Sequence, residues 1–177
     1  MGTCNAFYVK AGANDEAATS AIRARFPEAK IDSSQFFLGV RMPDDAFEAP
    51  EAEIAALSSQ LSTDVIWLGF QSVVDAFQFH HWISGVHRRA LVFGCFEEER
   101  TWERVEGDPE PWERDVFFGQ SELSFALECA GSDSDRQEVE RIWRATEIAA
   151  GRTVPTLDSR ECAHKIAAFY GFPGYSS

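Results

Sequence analysis

Positive charge is scarce in this chain. Sixteen Lys and Arg stand against 29 Asp and Glu, a formal net charge of −13. So acidic a surface repels nucleic-acid phosphates and anionic lipid heads, since it offers no basic face to displace their counterions. Neither a nucleic acid nor a membrane surface is therefore an expected partner. Cysteine is sparse too: Cys4, Cys95, Cys129 and Cys162 are far apart and form no C-x-x-C pair. That spacing speaks against a zinc ribbon or a disulfide framework. Charges interrupt every apolar run before it reaches the length of a membrane span. The first residues, MGTCNAFYV, lack the basic segment and long apolar stretch of a signal peptide, and Ala6 stands where a myristoylation signal needs Ser or Thr. A cytoplasmic protein with reduced thiols is expected. Neither G-x-G-x-x-G nor a P-loop is present, and Ser72 and Ser121 lack the G-x-S-x-G setting of a nucleophile elbow. No cofactor is expected from these motifs.

Apolar and aromatic residues are plentiful. The 177 residues are 45% hydrophobic and include fifteen Phe and five Trp, enough for one domain over 1–177 with an aromatic core. The stretch from Thr63 to Phe96 is dense in Val, Ile, Phe and Trp, and its clear turn signal is Ser84-Gly85. It predicts the centre of an antiparallel sheet, broken near Gln71-Ser72, with a strand from about Val73 to Ile83. A two-residue loop at Ser84-Gly85 pairs Ile83 with Val86, Trp82 with His87, His81 with Arg88 and His80 with Arg89. That register puts His80, Trp82, His87 and Arg89 on one face, and His81 and Arg88 on the other. It also puts Phe77 and Phe79 opposite Leu91 and Phe93, so both faces need cover.

Before this centre the pattern predicts a strand over Cys4–Lys10 and a helix capped by Asn14 and ended by Phe26-Pro27. A strand over Ser34–Met42 follows, then a helix from Glu51 with Ile54, Leu57 and Leu61 on one face. After it come a strand over Thr101–Glu106, with Trp102 and Arg104 pointing one way, and an irregular Gly107–Pro111 loop. Val116–Gly119 is short and apolar. Ser121–Ala130 fits a strand or a helix. Two further helices follow, one with Val139, Ile142, Trp143, Thr146 and Ala150 on a face and stopping at Gly151. The last is capped by Asp158, carries Cys162, Ile166, Phe169 and Tyr170, and is closed by Gly171. The expected class is α+β: a mainly antiparallel sheet of about five or six strands with helices packed on it.

Two places carry candidate binding chemistry. One is the hairpin end, where His80, Trp82, His87 and Arg89 gather donors on an acidic chain; the bland alternative is cross-strand pairing and cation–π contact. His80 and His87 are diagonal neighbours, but no third ligand is evident, so no metal site is assigned. The other is the acidic, proline-stiffened loop flanked by Trp102 and Trp112, which would anchor a partner if those rings were exposed and cap the sheet if they were not. No catalytic residue is assigned. Cys95 sits between Phe93 and Phe96, where a buried thiol is inert.

Ser72-Val73-Val74-Asp75-Ala76-Phe77, then Gly85, Arg88 and Leu91, then Gly107-x-Pro109-x-Pro111-Trp112-Glu113 make up a further pattern, within less than a third of the chain. It resembles bacterial domains of unknown function whose β-hairpin carries a G-x-x-R tip and ends in a G-x-P-x-P-[WF]-E loop. The resemblance implies a small cytoplasmic α+β domain and lends no activity. Two functional expectations remain. The first is a non-enzymatic, acidic interaction protein, of the immunity or antitoxin kind that neutralises a basic protein. The second is a small-molecule binder or enzyme using the His80, His87 and Arg89 face. A homo-oligomer is compatible with either and demanded by neither.

Overall fold

A computed structural model describes residues 2–12, 15–43, 48–96, 100–153 and 157–174. Its centre is a seven-stranded, wholly antiparallel sheet in the order β2-β3-β1-β4-β5-β6-β7. The strands are β1 Thr3–Lys10, β2 Lys30–Ser33, β3 Phe37–Arg41, β4 Asp64–Gln71, β5 Ala76–Ile83, β6 Val86–Phe93 and β7 Trp102–Gly107. The helices are α1 Glu16–Arg25, α2 Glu51–Leu61, α3 Glu113–Phe117, α4 Gln120–Cys129, α5 Asp133–Ala145 and α6 Ser159–Tyr170. This is an α+β fold. No helix among the described residues is long and apolar enough to cross a membrane.

Both faces of the sheet are covered, as its doubly apolar strands require. On one face Ile66, Leu68, Phe77, Phe79, Leu91 and Phe93 pack with Val116 and Phe117 of α3 and Ile166 and Ala167 of α6. On the other, Phe7, Val9, Val65, Trp67 and Trp82 pack with Ile22 of α1 and Ile54 and Leu57 of α2. The helices α4 and α5 stand apart on a small core of Ala126, Val139 and Trp143. That partner decides the ambiguous stretch as a helix, because α5 supplies an apolar face at helical spacing and no strand among the described residues lies beside it.

The β5–β6 hairpin turns at Ser84-Gly85, whose φ values of 50° and 84° are the left-handed pair of a type I′ turn. The tip docks on α2. The Gly85 N–H donates to Ser58 Oγ at 2.9 Å, and Ser58 Oγ donates to the Thr63 carbonyl at 2.7 Å. A side chain at Gly85 would lie 2.7 Å from Ser59 Cβ.

Two β-bulges correct the predicted faces. Ile83 pairs with Val86 and Trp82 with His87, but the next pairs are His81 with Arg89 and His80 with Ala90. Arg88 is the extra residue, so from Arg89 onward β6 presents the opposite face. Arg89 therefore shares a face with His81, not with His80 and His87. Leu91 and Phe93 likewise join Phe77 and Phe79. In β7 the pairing steps from Phe93–Trp102 to Val92–Arg104, which leaves Glu103 extra. Trp102 and Arg104 thus point to opposite faces.

Other boundaries moved less. Ser34–Met42 resolves into β3, and a short β2 precedes it. Val73 and Val74 lie exposed in the turn before β5, where Asp75 takes a positive φ of 51°. The helix α5 ends at a left-handed Thr146 rather than at Gly151. Phe169 is exposed, and Ala163 and Ala167 hold the buried face of α6 instead. The predicted Asn14 cap lies outside the described residues, and Asp15 caps α1 by accepting from the Ala18 N–H.

At the sheet edge, the Trp102 N–H donates to the Arg152 carbonyl and the Trp102 carbonyl accepts from the Gly151 N–H, both at 2.8 Å. The opposite edge, β2, has four residues.

Candidate functional sites

The bulge at Arg88 divides the basic residues of the hairpin into two unlike environments. On the α6 face, Arg89 is 3% exposed and grips Glu113 in a two-pronged ion pair. Arg89 Nε and Nη2 donate to the two Glu113 oxygens, each at 2.7 Å, and Nη1 donates to the Gly107 carbonyl at 2.8 Å and the Glu106 carbonyl at 3.2 Å. Glu113 Oε1 also accepts from the Glu110 N–H at 2.8 Å. Alongside, His81 Nδ1 lies 2.6 Å from Glu110 Oε1. Tyr170 donates to Glu110 Oε2 at 3.1 Å and accepts from Trp112 Nε1 at 3.3 Å. Burial, reinforced by the Glu110 carboxylate, pushes the Tyr170 phenol up. Gly107, Glu110, Trp112 and Glu113 of the proline loop are thus spent on holding that loop against β5, β6 and α6. A Cβ at Gly107, whose φ is 78°, would run into the Arg88 carbonyl. Trp102 and Trp112 are 1% and 2% exposed and pack against Phe117. They cap the sheet, and neither is placed to anchor a partner.

On the α2 face, His80, Trp82 and His87 form a stack. The Trp82 ring centroid lies 5.6 Å from His80 and 4.7 Å from His87, each at 12°. Glu51, from the first turn of α2, joins them. One donor atom from each of Glu51, His80 and His87 lies within 4.8 Å of the others. Burial, then the charges of His87 and Arg104, push the His80 imidazole down to about 3, and burial and Arg104 lower His87. Both rings are therefore neutral near neutral pH. Arg104 Nη1 donates to Glu51 Oε1 at 2.6 Å, and Nη2 to Glu106 Oε2 at 2.9 Å; Nη2 is also 3.4 Å from His87 Nδ1. Glu51 and Arg104 are the residues that sequence reasoning missed. Glu51 lies 29 residues before His80 and looks like an ordinary first-turn carboxylate, and the face of Arg104 depends on the second bulge.

No known protein family, curated protein or solved structure matches this chain. The Cys95 and Cys162 thiols are poor nucleophile candidates. Burial pushes Cys95 up to about 12 and raises Cys162 further out of reach, and the Cys95 S–H donates to the Phe93 carbonyl at 3.2 Å.

A cleft lies between β1, β2, β3 and α6. Its volume is about 330 Å³, with Ala6, Tyr8 and Phe70 in its wall, and Arg41, Arg160 and His164 around it. Asp32 is its one acidic lining residue. Arg41 and Arg160 are exposed and make no ion pair among the described residues.

Proposed function

We propose that this protein is a ligand-binding protein whose cleft takes a small organic anion, a carboxylate or a phosphate ester with a flat apolar body. The observation that carries this reading is the cleft itself. On a chain of net charge −13 it gathers two guanidiniums and an imidazole around an aromatic wall, against one carboxylate. Its volume suits a small ligand, and the combination of apolar lining with a few convergent polar groups is what such sites use. Arg41 and Arg160 supply forked donors that match a carboxylate or phosphate edge. Cys95, Cys129 and Cys162 form no disulfide, which supports a reducing, cytoplasmic setting.

The test is a thermal-shift screen of aromatic carboxylates, dicarboxylates and phosphate monoesters, followed by calorimetric titration of any ligand that raises Tm. An Arg41→Ala/Arg160→Ala variant, altered only at exposed positions, should lose binding by at least about tenfold. A screen without a shift, or affinity unchanged in that variant, overturns the reading.

A second reading, a basic protein partner neutralised by this chain, draws on the net charge of −13. With Trp102 and Trp112 buried, such a partner would be met by charge alone. Its association rate would fall steeply with added salt. A salt-independent rate would count against it.

A further inference from the structure

We propose that Glu51, His80 and His87 form a binding site for a divalent transition-metal ion of the zinc class, and that Arg104 is its built-in competitor. Three observations meet here. First, the donor set is right: two imidazoles and a carboxylate suit Zn²⁺, Co²⁺ or Ni²⁺ and leave room for further ligands. Second, the spacing is nearly right. Two ligand atoms on a tetrahedral zinc ion are roughly 3.3–3.5 Å apart, given metal–ligand bonds of about 2.0–2.2 Å. His80 Nδ1 and Glu51 Oε1 are 4.0 Å apart, and the whole set lies within 4.8 Å. Small side-chain rotations close the difference. Third, the site contains buried polar atoms that the protein does not satisfy. His80 is 2% exposed, yet its Nδ1 makes no hydrogen bond among the described residues, and neither does His87 Nε2. Buried ring nitrogens normally find partners.

Local structure also prepares the ligands. Trp82 stacks on both imidazoles and limits their rotation. The His80 and His87 centroids are 5.5 Å apart, close to the roughly 5 Å that two imidazoles on one tetrahedral ion would show. The Arg88 bulge contributes by placing the permanently charged Arg89 on the other face; without it Arg89 would stand beside the ligands. Glu51 comes from a helix packed on that sheet face, so its backbone position is fixed by Ile54 and Leu57.

Arg104 is the reason the set can stand without an ion. Its guanidinium holds the Glu51 carboxylate as a cation would, and rests 3.4 Å from His87 Nδ1. It is also tied to Glu106, which stands outside the set. Metal entry therefore exchanges one cation for another: the guanidinium leaves Glu51 and His87 and keeps its bond to Glu106. Arg104 is about one-third exposed, so this swing needs no change in the core.

The experiment uses the full chain, stripped with a chelator and then freed of it. Co²⁺ titration should give one equivalent with the visible absorption of a low-coordinate site, and Zn²⁺ should displace it. Glu51→Gln and His87→Phe, both at incompletely buried positions, should each weaken Zn²⁺ by at least tenfold in competition with a chromophoric chelator. Arg104→Met should tighten it by about tenfold. Far-ultraviolet circular dichroism and the urea midpoint identify any variant that fails to fold, and His87→Gln serves if His87→Phe does. No binding by either the parent or Arg104→Met overturns the site. Binding that survives both ligand substitutions also overturns it, because the ion then sits elsewhere. Binding that depends on Glu51 and His87 but is unchanged in Arg104→Met sustains the site and overturns the competitor. Anion binding at the distant cleft is read separately and is unaffected by these outcomes.

Discussion

Removing one member of the Arg89–Glu113 pair should strip the protein of a large share of its stability, while removing both should cost much less. Each group is buried, so neither can recover its lost partner from solvent. In Arg89→Met the Glu113 carboxylate keeps one strong donor, the Glu110 N–H, and is otherwise an uncompensated charge in an apolar setting. Breaking such a pair typically costs about 3–5 kcal/mol. Stripping the Glu106 and Gly107 carbonyls of their donor adds to it. Total stabilities run at about 5–15 kcal/mol, so this one change removes a large share. In Arg89→Met/Glu113→Leu the charge is gone, and only the two carbonyls and the Glu110 N–H lose partners. The deficit should then fall to roughly 1–3 kcal/mol. Urea unfolding of the parent, both single variants and the double variant gives the coupling term. With a slope of about 2 kcal/mol per molar, the Arg89→Met midpoint should drop by about 2 M and the double variant should recover at least half of that. Single variants within about 1 kcal/mol of the parent, or a double variant equal to the sum of the singles, would refute the reasoning.

Two other expectations concern the same region and the thiols. Gly107→Ala places a methyl group against the Arg88 carbonyl at a positive φ and should cost about 2–4 kcal/mol, with proteolysis between β6 and β7 as the readout; parental resistance would sink it. Because the folded Cys95 is pushed up to about 12 from an ordinary 9, its stabilising effect is full below pH about 9 and is lost as pH rises from there toward 12. The limiting slope is about 1.4 kcal/mol per pH unit, and a Cys95→Ala variant measured over the same range should lack it. An identical alkaline decline in that variant would show that Cys95 has no part.

What the sequence made legible was whatever depends on neighbours a few residues away. The serine–glycine corner follows from turn chemistry, and the Asp158 and Gly171 caps from helix-end chemistry. Cover on both faces is present, but Phe77, Phe79, Leu91 and Phe93 share one face, and the other is made apolar chiefly by Phe7 and Val9 of β1 and Val65 and Trp67 of β4. The two bulges were not legible. Inserting one residue at Arg88 or Glu103 leaves the alternation of apolar residues looking plausible in either register. The choice is made by contacts across strands, such as Arg89 reaching Glu113 and the close approach of Gly107 to Arg88. The slip at Arg88 moved Arg89 off the histidine face and the slip at Glu103 put Arg104 onto it, so the membership of the candidate site changed while its location held. Glu51 was hidden for a different reason. Its place beside His80 is set by how α2 packs on the sheet, which no local pattern announces. The buried state of Trp102 and Trp112 follows from the short α3, whose Phe117 gives both rings something to lie against.

The rims of the sheet bear on how molecules of this protein meet one another. One outermost strand is too short to template a long ladder and carries Lys30 and Asp32; the other has its first backbone groups already taken by residues 151 and 152 and displays Glu103, Arg104 and Glu106. A neighbouring copy that tried to extend the ladder would find only short runs of open backbone and charged side chains in its path. Crowded copies should therefore stay apart instead of zipping into fibres, and any assembly they form will have to use side chains, not backbone.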